Sequence, residues 1–459
     1  MPALPKARQR AHAFTLASPL DTREAGIFQL VCRLLNPQPM NKSLGIWAAA
    51  WLIACGPNTI HRDDGAGGMA GQAGSAGSGG SAGNADPGGT GGEGGDAGQG
   101  GTASFGLNDV SILFPVPEAS GDGLYRATDV GGYGELLPLE VFQAVGPIAR
   151  KGCPNSGVAG CEKTEPVETT HPRLRVVGVR IDPCFPALGG SNCRSQVRFV
   201  MQPVESGGFD DDALHVFYDL PKEDFDALVR ELGTISRSVQ KDLPLGVHPL
   251  LSQQGTNGAY AKSLKAALFS RIGASRISRV TALQMTFIAG GWSFRGFEFD
   301  HGSNPTPIGI VGSTEHEQEV TGFGSISPPT PVFPEDSPFS LLWDSERSEQ
   351  ASDADRQAAY DAALTIENPT KKTVDQESCV ACHTALPMRI AAEKAFKLNS
   401  HENSNAFTSS FNLALTSKPE LSEQQNMLHA FSYHGSDAGI SQRAVNESAA
   451  VAEYLNSPN

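Results

Sequence analysis

The chain contains no run of lysine or arginine, and 50 acidic residues outnumber 35 basic ones for a formal net charge of -15. Neutralising a nucleic-acid backbone takes clustered basic side chains, so nucleic acid is excluded as a partner. Long apolar runs are missing too. The longest, residues 44–54, is Leu-Gly-Ile-Trp-Ala-Ala-Ala-Trp-Leu-Ile-Ala, about half of the roughly 20 residues a helix needs to cross a bilayer. Histidine pairs at metal-binding spacing such as His-x-x-x-His are also lacking. His171, His215, His248, His301 and His316 are scattered and read as core or surface residues. The acid runs Asp210-Asp211-Asp212 and Glu335-Asp336 fall in turn-like sequence and read as solvated, calcium at the first being the alternative.

Glycine is abundant but concentrated. Between residues 65 and 101, 18 of 37 positions are glycine, interleaved with Ala, Ser, Asp and Gln. Such a stretch cannot bury a core and reads as a flexible tether. The 459 residues leave room for two or three domains at about 100–200 residues each. With the tether set aside, two are expected: a β-rich part at 104–334, and a second at 335–459 reached through the stiff Ser327-Pro328-Pro329-Thr330-Pro331 linker that ends at Pro334.

The 44–54 run has the length of a signal-peptide core. Met40, Asn41 and Lys42 precede it as a minimal basic start, and Leu52-Ile53-Ala54-Cys55 ends it. This segment resembles the lipobox of bacterial lipoproteins, in which the cysteine is acylated and becomes the new N-terminus. The resemblance implies translation from Met40, with 1–39 a doubtful leader, 40–54 a signal peptide, and 55–103 a lipidated Cys55 on its tether. Two or more acyl chains anchor a protein stably. Gly56 stands where Asp would mark inner-membrane retention in that family, so an outer-membrane lipoprotein facing the periplasm or the cell surface is implied.

Eight cysteines are present. Cys153, Cys161, Cys184 and Cys193 lie in loop-like sequence, where an exported chain is expected to form two disulfides in one of three pairings. Zinc is the alternative, although no Cys-x-x-Cys spacing occurs among these four. The remaining pair stands in Cys379-Val380-Ala381-Cys382-His383. Two cysteines three apart lie on one face of a helical turn, and the histidine follows directly. The motif resembles the haem attachment site of c-type cytochromes. It implies haem c held by thioethers from Cys379 and Cys382, with His383 as the proximal iron ligand. A redox dithiol would need a preceding strand in a βαβ setting, whereas residues 373–378 are polar.

Around the motif, 354–365 has the composition of a helix behind the Asp-rich Ser352-Asp353. Residues 441–455 form a better one, with Ile440, Ala444, Val451 and Leu455 on one stripe and Arg443, Asn446 and Glu447 facing away. That ending resembles the C-terminal helix of class I cytochromes c. Candidates for the distal iron ligand are Met427, His429 and His434. His434 is favoured from its Ser432-Tyr433-His434-Gly435-Ser436 turn, with Met427 the alternative. Met388 is expected to pack on the proximal side.

The β-rich part shows strands at 174–181, 197–202 with clean alternation, and 214–218, and a hairpin over 282–299 about Gly290-Gly291. Helices are expected at 221–232, closed by Gly233, and at 260–270. The fold class expected is therefore multidomain α+β: an antiparallel β-sandwich-like N-terminal domain plus a small all-α cytochrome c-like C-terminal domain. The function expected is electron transfer by a lipid-anchored envelope cytochrome with one haem, serving a redox partner protein. It is an electron carrier more than a catalyst. The alternative is a haem-free surface lipoprotein acting as a binding module, with Cys379 and Cys382 in a disulfide.

Overall fold

A computed structural model of the chain describes residues 104–116, 123–145, 167–183, 194–205, 208–209, 211–236, 241–286, 291–300, 304–311, 313–321, 337–373, 376–400, 403–417 and 428–457. All belong to a compact unit that runs Gly94–Asn459. The leader, the signal segment, Cys55, the tether, the Pro-rich linker, Cys153, Cys161, Cys184, Cys193 and Met427 lie outside the described residues.

The strands are β1 (Ser111–Leu113), β2 (Val130–Gly131), β3 (Gly134–Glu135), β4 (Leu174–Asp182), β5 (Gln196–Glu205), β6 (Gly208–Phe209) and β7 (Ala213–Asp219). They continue as β8 (Ile277–Thr286), β9 (Gly291–Phe299), β10 (Pro305–Pro307), β11 (Glu317–Thr321), β12 (Phe431–His434) and β13 (Asp437–Ile440). The helices of more than ten residues are α1 (Lys222–Ile235), α2 (Ala259–Phe269), α3 (Asp353–Glu367), α4 (Cys379–Phe396) and α5 (Gln442–Asn456). One antiparallel sheet runs β1-β4-β5-β7-β8-β9-β10, with β6 added to β5 and β11 to β9. The expected hairpin is β8 with β9, in register from Thr286 opposite Gly291 to Arg279 opposite Glu298.

The expected sandwich of two sheets is replaced by one nine-stranded sheet covered by helices. Alternate residues of a strand face opposite ways. On one face Val197, Phe199 and Met201 of β5, Leu214 and Val216 of β7, and Val280 of β8 share a core with Phe225, Leu228 and Leu232 of α1 and Leu264 and Leu268 of α2. On the other, Ala213, Leu283, Trp292, Phe294 and Val320 pack with Phe339, Trp343, Ala363 and Ile366 and with Val380, Ala381, Ala385 and Met388 of α4. Each large apolar side chain so buried contributes roughly 1.5–3 kcal/mol. Residues 197–202 consequently do not alternate in exposure: all six are buried, as happens when both faces of a strand are covered.

Helix starts follow side-chain caps. Ser352 Oγ accepts from the Asp355 N–H, Ser378 Oγ from that of Ala381, and Ser441 Oγ from that of Ala444. Helix α1 runs past Gly233 to Ile235, so this glycine lies inside the last turn and not beyond it. Its buried side, Phe225, Leu228 and Leu232, carries the helix through.

The segment after 335 is not all-α, because it contains the β12–β13 hairpin, turned at Gly435 with φ 58°. Nor does it keep a separate core. Ala444, Val445, Ala449 and Ala452 of α5 belong to the same cluster as the sheet residues. Ser448 Oγ meets Ser111 Oγ of β1 at 2.7 Å, and the Asn456 side chain bonds the backbone N–H and C=O of Phe105.

Arg443, Asn446 and Glu447, expected to face solvent, are turned inward. Arg443 donates to the carbonyls of Ile366 and Lys372 at 2.7 and 2.8 Å, and Asn446 to that of Glu367 at 2.8 Å. Glu447 bridges Arg443 at 2.6 Å and Arg180 of β4 at 2.8 Å. Arg198, the register partner of Arg180 on β5, pairs with Asp182 at 2.9 Å. Arg443 and Asn446 thus face the end of α3, and Glu447 faces the sheet because Arg180 of β4 neutralises it.

Candidate functional site

The Cys379-to-His383 motif opens α4, the helix laid on the Trp292 and Phe294 face of the sheet. Cys379 and Cys382 are free thiols and half-buried. Burial raises both above the ordinary thiol value, Cys382 to about 12. His383 is half-buried beside the Phe294 ring, with centroids 4.9 Å apart. Its Nδ1–H donates to the main-chain carbonyl of Leu428. Burial lowers its pKa to about 4, against the raising effect of that carbonyl. The ring is therefore neutral near pH 7, protonated at Nδ1, and carries its lone pair on Nε2. Met388 is buried in the apolar cluster with Phe294, Trp343 and Ala385.

A second constellation lies at the β12–β13 hairpin. Tyr433 N–H donates to Gln202 Oε1, Gln202 Nε2 returns a bond to the Tyr433 carbonyl, and the Tyr433 hydroxyl donates to the Phe114 carbonyl. These bonds hold the hairpin against β5. They bring His434, at the end of β12, and His429, just before it, onto Asp211, two residues before β7. His429 Nε2 lies 2.5 Å and His434 Nδ1 3.2 Å from Asp211 Oδ1, while Trp292 Nε1 donates to Asp211 Oδ2 at 2.8 Å. Asp211 is buried, not solvated as its turn-like sequence implied. Burial would raise its pKa, yet the bonds from His429, His434 and Trp292 outweigh this and hold the carboxyl well below the usual range. The carboxylate in turn raises His434. Asp212 is buried as well.

His215, read from the sequence as a core or surface residue, is a fourth imidazole near the motif's side of the sheet. It stands on β7 between Val200 of β5 and Thr281 of β8, on the face that carries Ala213. Burial pushes its pKa well below the ordinary value, and the positive charge of Arg198 adds to that. Its only sequence signal was its alternation with Val216 on a strand. His434 is thus found in a cluster with Asp211 and His429, and Met427 lies outside the described residues. Two surface clefts, of about 360 and 470 Å³, are lined by residues such as Asn108, Pro244 and Thr416, and Ser337, Arg347 and Asp355. Neither touches the motif. Among the described residues no helix is long and apolar enough to cross a membrane.

Compared with models of protein families, with curated proteins and with solved structures, the chain matches none of them.

Proposed function

We propose that residues 335–459 carry one covalently bound haem c in a cytochrome c-like arrangement, and that the protein transfers electrons in the cell envelope from a lipid anchor at Cys55. The observation that carries the reading is the bond from His383 Nδ1 to the Leu428 carbonyl. A histidine that ligates a metal almost always donates its other ring N–H to a carbonyl, carboxylate or water, which fixes the tautomer and the ring direction. His383 has that arrangement, with Nε2 left for iron.

The rest of the donor set fits the same group. Two half-buried thiols sit one turn apart on the helix that bears the imidazole, where porphyrin vinyl groups can be joined at the protein's edge. Their raised pKa values argue against a reactive dithiol, which needs a lowered one, and the free thiols do not support the disulfide of the haem-free alternative. Haem supplies a reversible one-electron change. Cys379, Cys382 and His383 would hold it, and the buried Phe294, Trp343 and Met388 would exclude water beside it, which would tune the potential. The sequence candidates His434 and Met427 for the sixth position are joined by His215. The acidic chain favours a redox partner with a basic docking face.

The test is a haem stain of boiled, detergent-denatured protein made in a host competent for cytochrome c maturation. Thioether-held haem stays with the chain, and Cys379→Ser or Cys382→Ser weakens the band. An unstained wild-type band overturns the reading.

A further inference from the structure

Asp211, His429 and His434 converge from distant parts of the chain, and one ligating atom from each lies within 4.8 Å of the other two. Asp211 Oδ2 is occupied by Trp292 Nε1, which turns Oδ1 to the two imidazoles. His429 is fixed from its other side, Nδ1 lying 2.5 Å from Ser432 Oγ. Asp211 and His429 are buried, while the His434 side chain is 35% exposed, so the cluster opens to solvent on one side only.

We propose that these three side chains bind one divalent transition-metal ion of the zinc class, through Asp211 Oδ1, His429 Nε2 and His434 Nδ1, with solvent in the remaining position. Two imidazoles and a carboxylate are zinc donors at about 2.0–2.2 Å, and three protein ligands with an open fourth position form a recurrent zinc geometry. Donor atoms around such an ion stand roughly 3.3 Å apart, within the spread of this cluster. The partners of the ligands are already in place, as second contacts of metal ligands generally are. Trp292 steers the carboxylate, and Ser432 Oγ accepts from His429 Nδ1–H once Nε2 takes the metal. Calcium and magnesium, which take oxygen donors, do not suit two ring nitrogens. Bound there, the ion would tie the segment entering β7 to β12, and so the sheet to the hairpin that follows Leu428, the partner of His383. The inference does not rest on the haem reading.

Zinc is the probe. The full chain, freed of metal by chelator dialysis, is titrated calorimetrically with Zn²⁺ and assayed for zinc and iron by mass spectrometry. One zinc per chain is expected, with affinity at least about tenfold weaker in His434→Gln and in Asp211→Asn. His434→Gln, on the solvent side, keeps the test usable if Asp211→Asn fails to fold. Equal zinc binding by wild type and His434→Gln would overturn the site as a mere hydrogen-bonded cluster. So would a change of His434→Gln haem to high spin, which would put this imidazole on the haem iron instead.

Discussion

The ring of His383 is fastened to the main-chain carbonyl of Leu428, 45 residues further along the chain. The helix that opens with the two thiols and the segment that leads into the β12–β13 hairpin are therefore set against each other through the imidazole itself. Replacing His383 with Gln should leave haem covalently attached through Cys379 and Cys382 but remove the proximal nitrogen. The expected outcome is an intact haem stain with a high-spin absorption spectrum. An unchanged low-spin spectrum would show that another residue ligates the iron.

The sixth position is read by the same spectroscopy. His215 is kept neutral by burial and stands, opposite Thr281 of β8, on the sheet face that α4 covers. His215→Ala is expected to give five-coordinate or water-bound iron and new carbon monoxide binding in the ferrous state, while Met427→Leu changes little. A bis-histidine site also sits at a lower potential than a His-Met one, which redox titration measures. If Met427→Leu is the variant that turns high-spin, the site is of the His-Met kind.

Glu447 is the shared counter-charge of Arg180 and Arg443. Burial alone would raise its pKa, but Arg443, Arg180 and Arg198 together hold it well below the usual carboxylate range. Glu447→Gln should leave buried guanidinium charge uncompensated and cost about 3–5 kcal/mol in urea unfolding. Since the folded pKa is depressed, the stabilisation from this group is present above the ordinary carboxylate value and is lost as the pH falls below it.

His248 is fully buried, stacked on Tyr260 with ring centroids 4.3 Å apart, and neither ring nitrogen has a hydrogen-bond partner among the described residues. Burial lowers its pKa from 6.5 to about 3, with Lys241 adding to the effect. Between those values the unfolded chain binds a proton that the folded chain does not. Stability is then complete above 6.5 and declines as the pH falls towards 3, by about 1.4 kcal/mol per unit. Urea unfolding at about pH 7.5 and about pH 5.5 should show that decline in wild type and a smaller one in His248→Leu. Equal declines would assign the acid sensitivity to other groups.

The anchor is tested by fatty-acid labelling of protein expressed from Met40. Wild type should incorporate label and Cys55→Ser should not. Labelling that survives the substitution would refute the lipobox assignment.

Short-range features of this protein were legible in its residues. The Cys379-to-His383 spacing, the helix starts at Ser352 and Ser441, and the β8–β9 hairpin depend on contacts within a few positions, and local composition records them. The stripe of α5 was read correctly for Ala444 and Val451 and wrongly for Arg443, Asn446 and Glu447. Whether a charged side chain faces water depends on whether an opposite charge meets it, and Arg180 arrives from a strand more than 250 residues earlier. The same holds for β5: its Val-Arg-Phe-Val-Met-Gln pattern looks half-exposed until α1 and α2 cover one face, the β12–β13 hairpin meets the other and Asp182 neutralises Arg198. Asp211 carried no local mark of importance, because its partners His429 and His434 lie 218 and 223 positions away. Pattern and spacing determined the longer helices, the β8–β9 hairpin and where the two thiols and the His383 imidazole sit. Only the long-range pairing of buried charges and polar groups decided what those elements face, because the cost of burying such a group is met by partners that sequence proximity does not reveal.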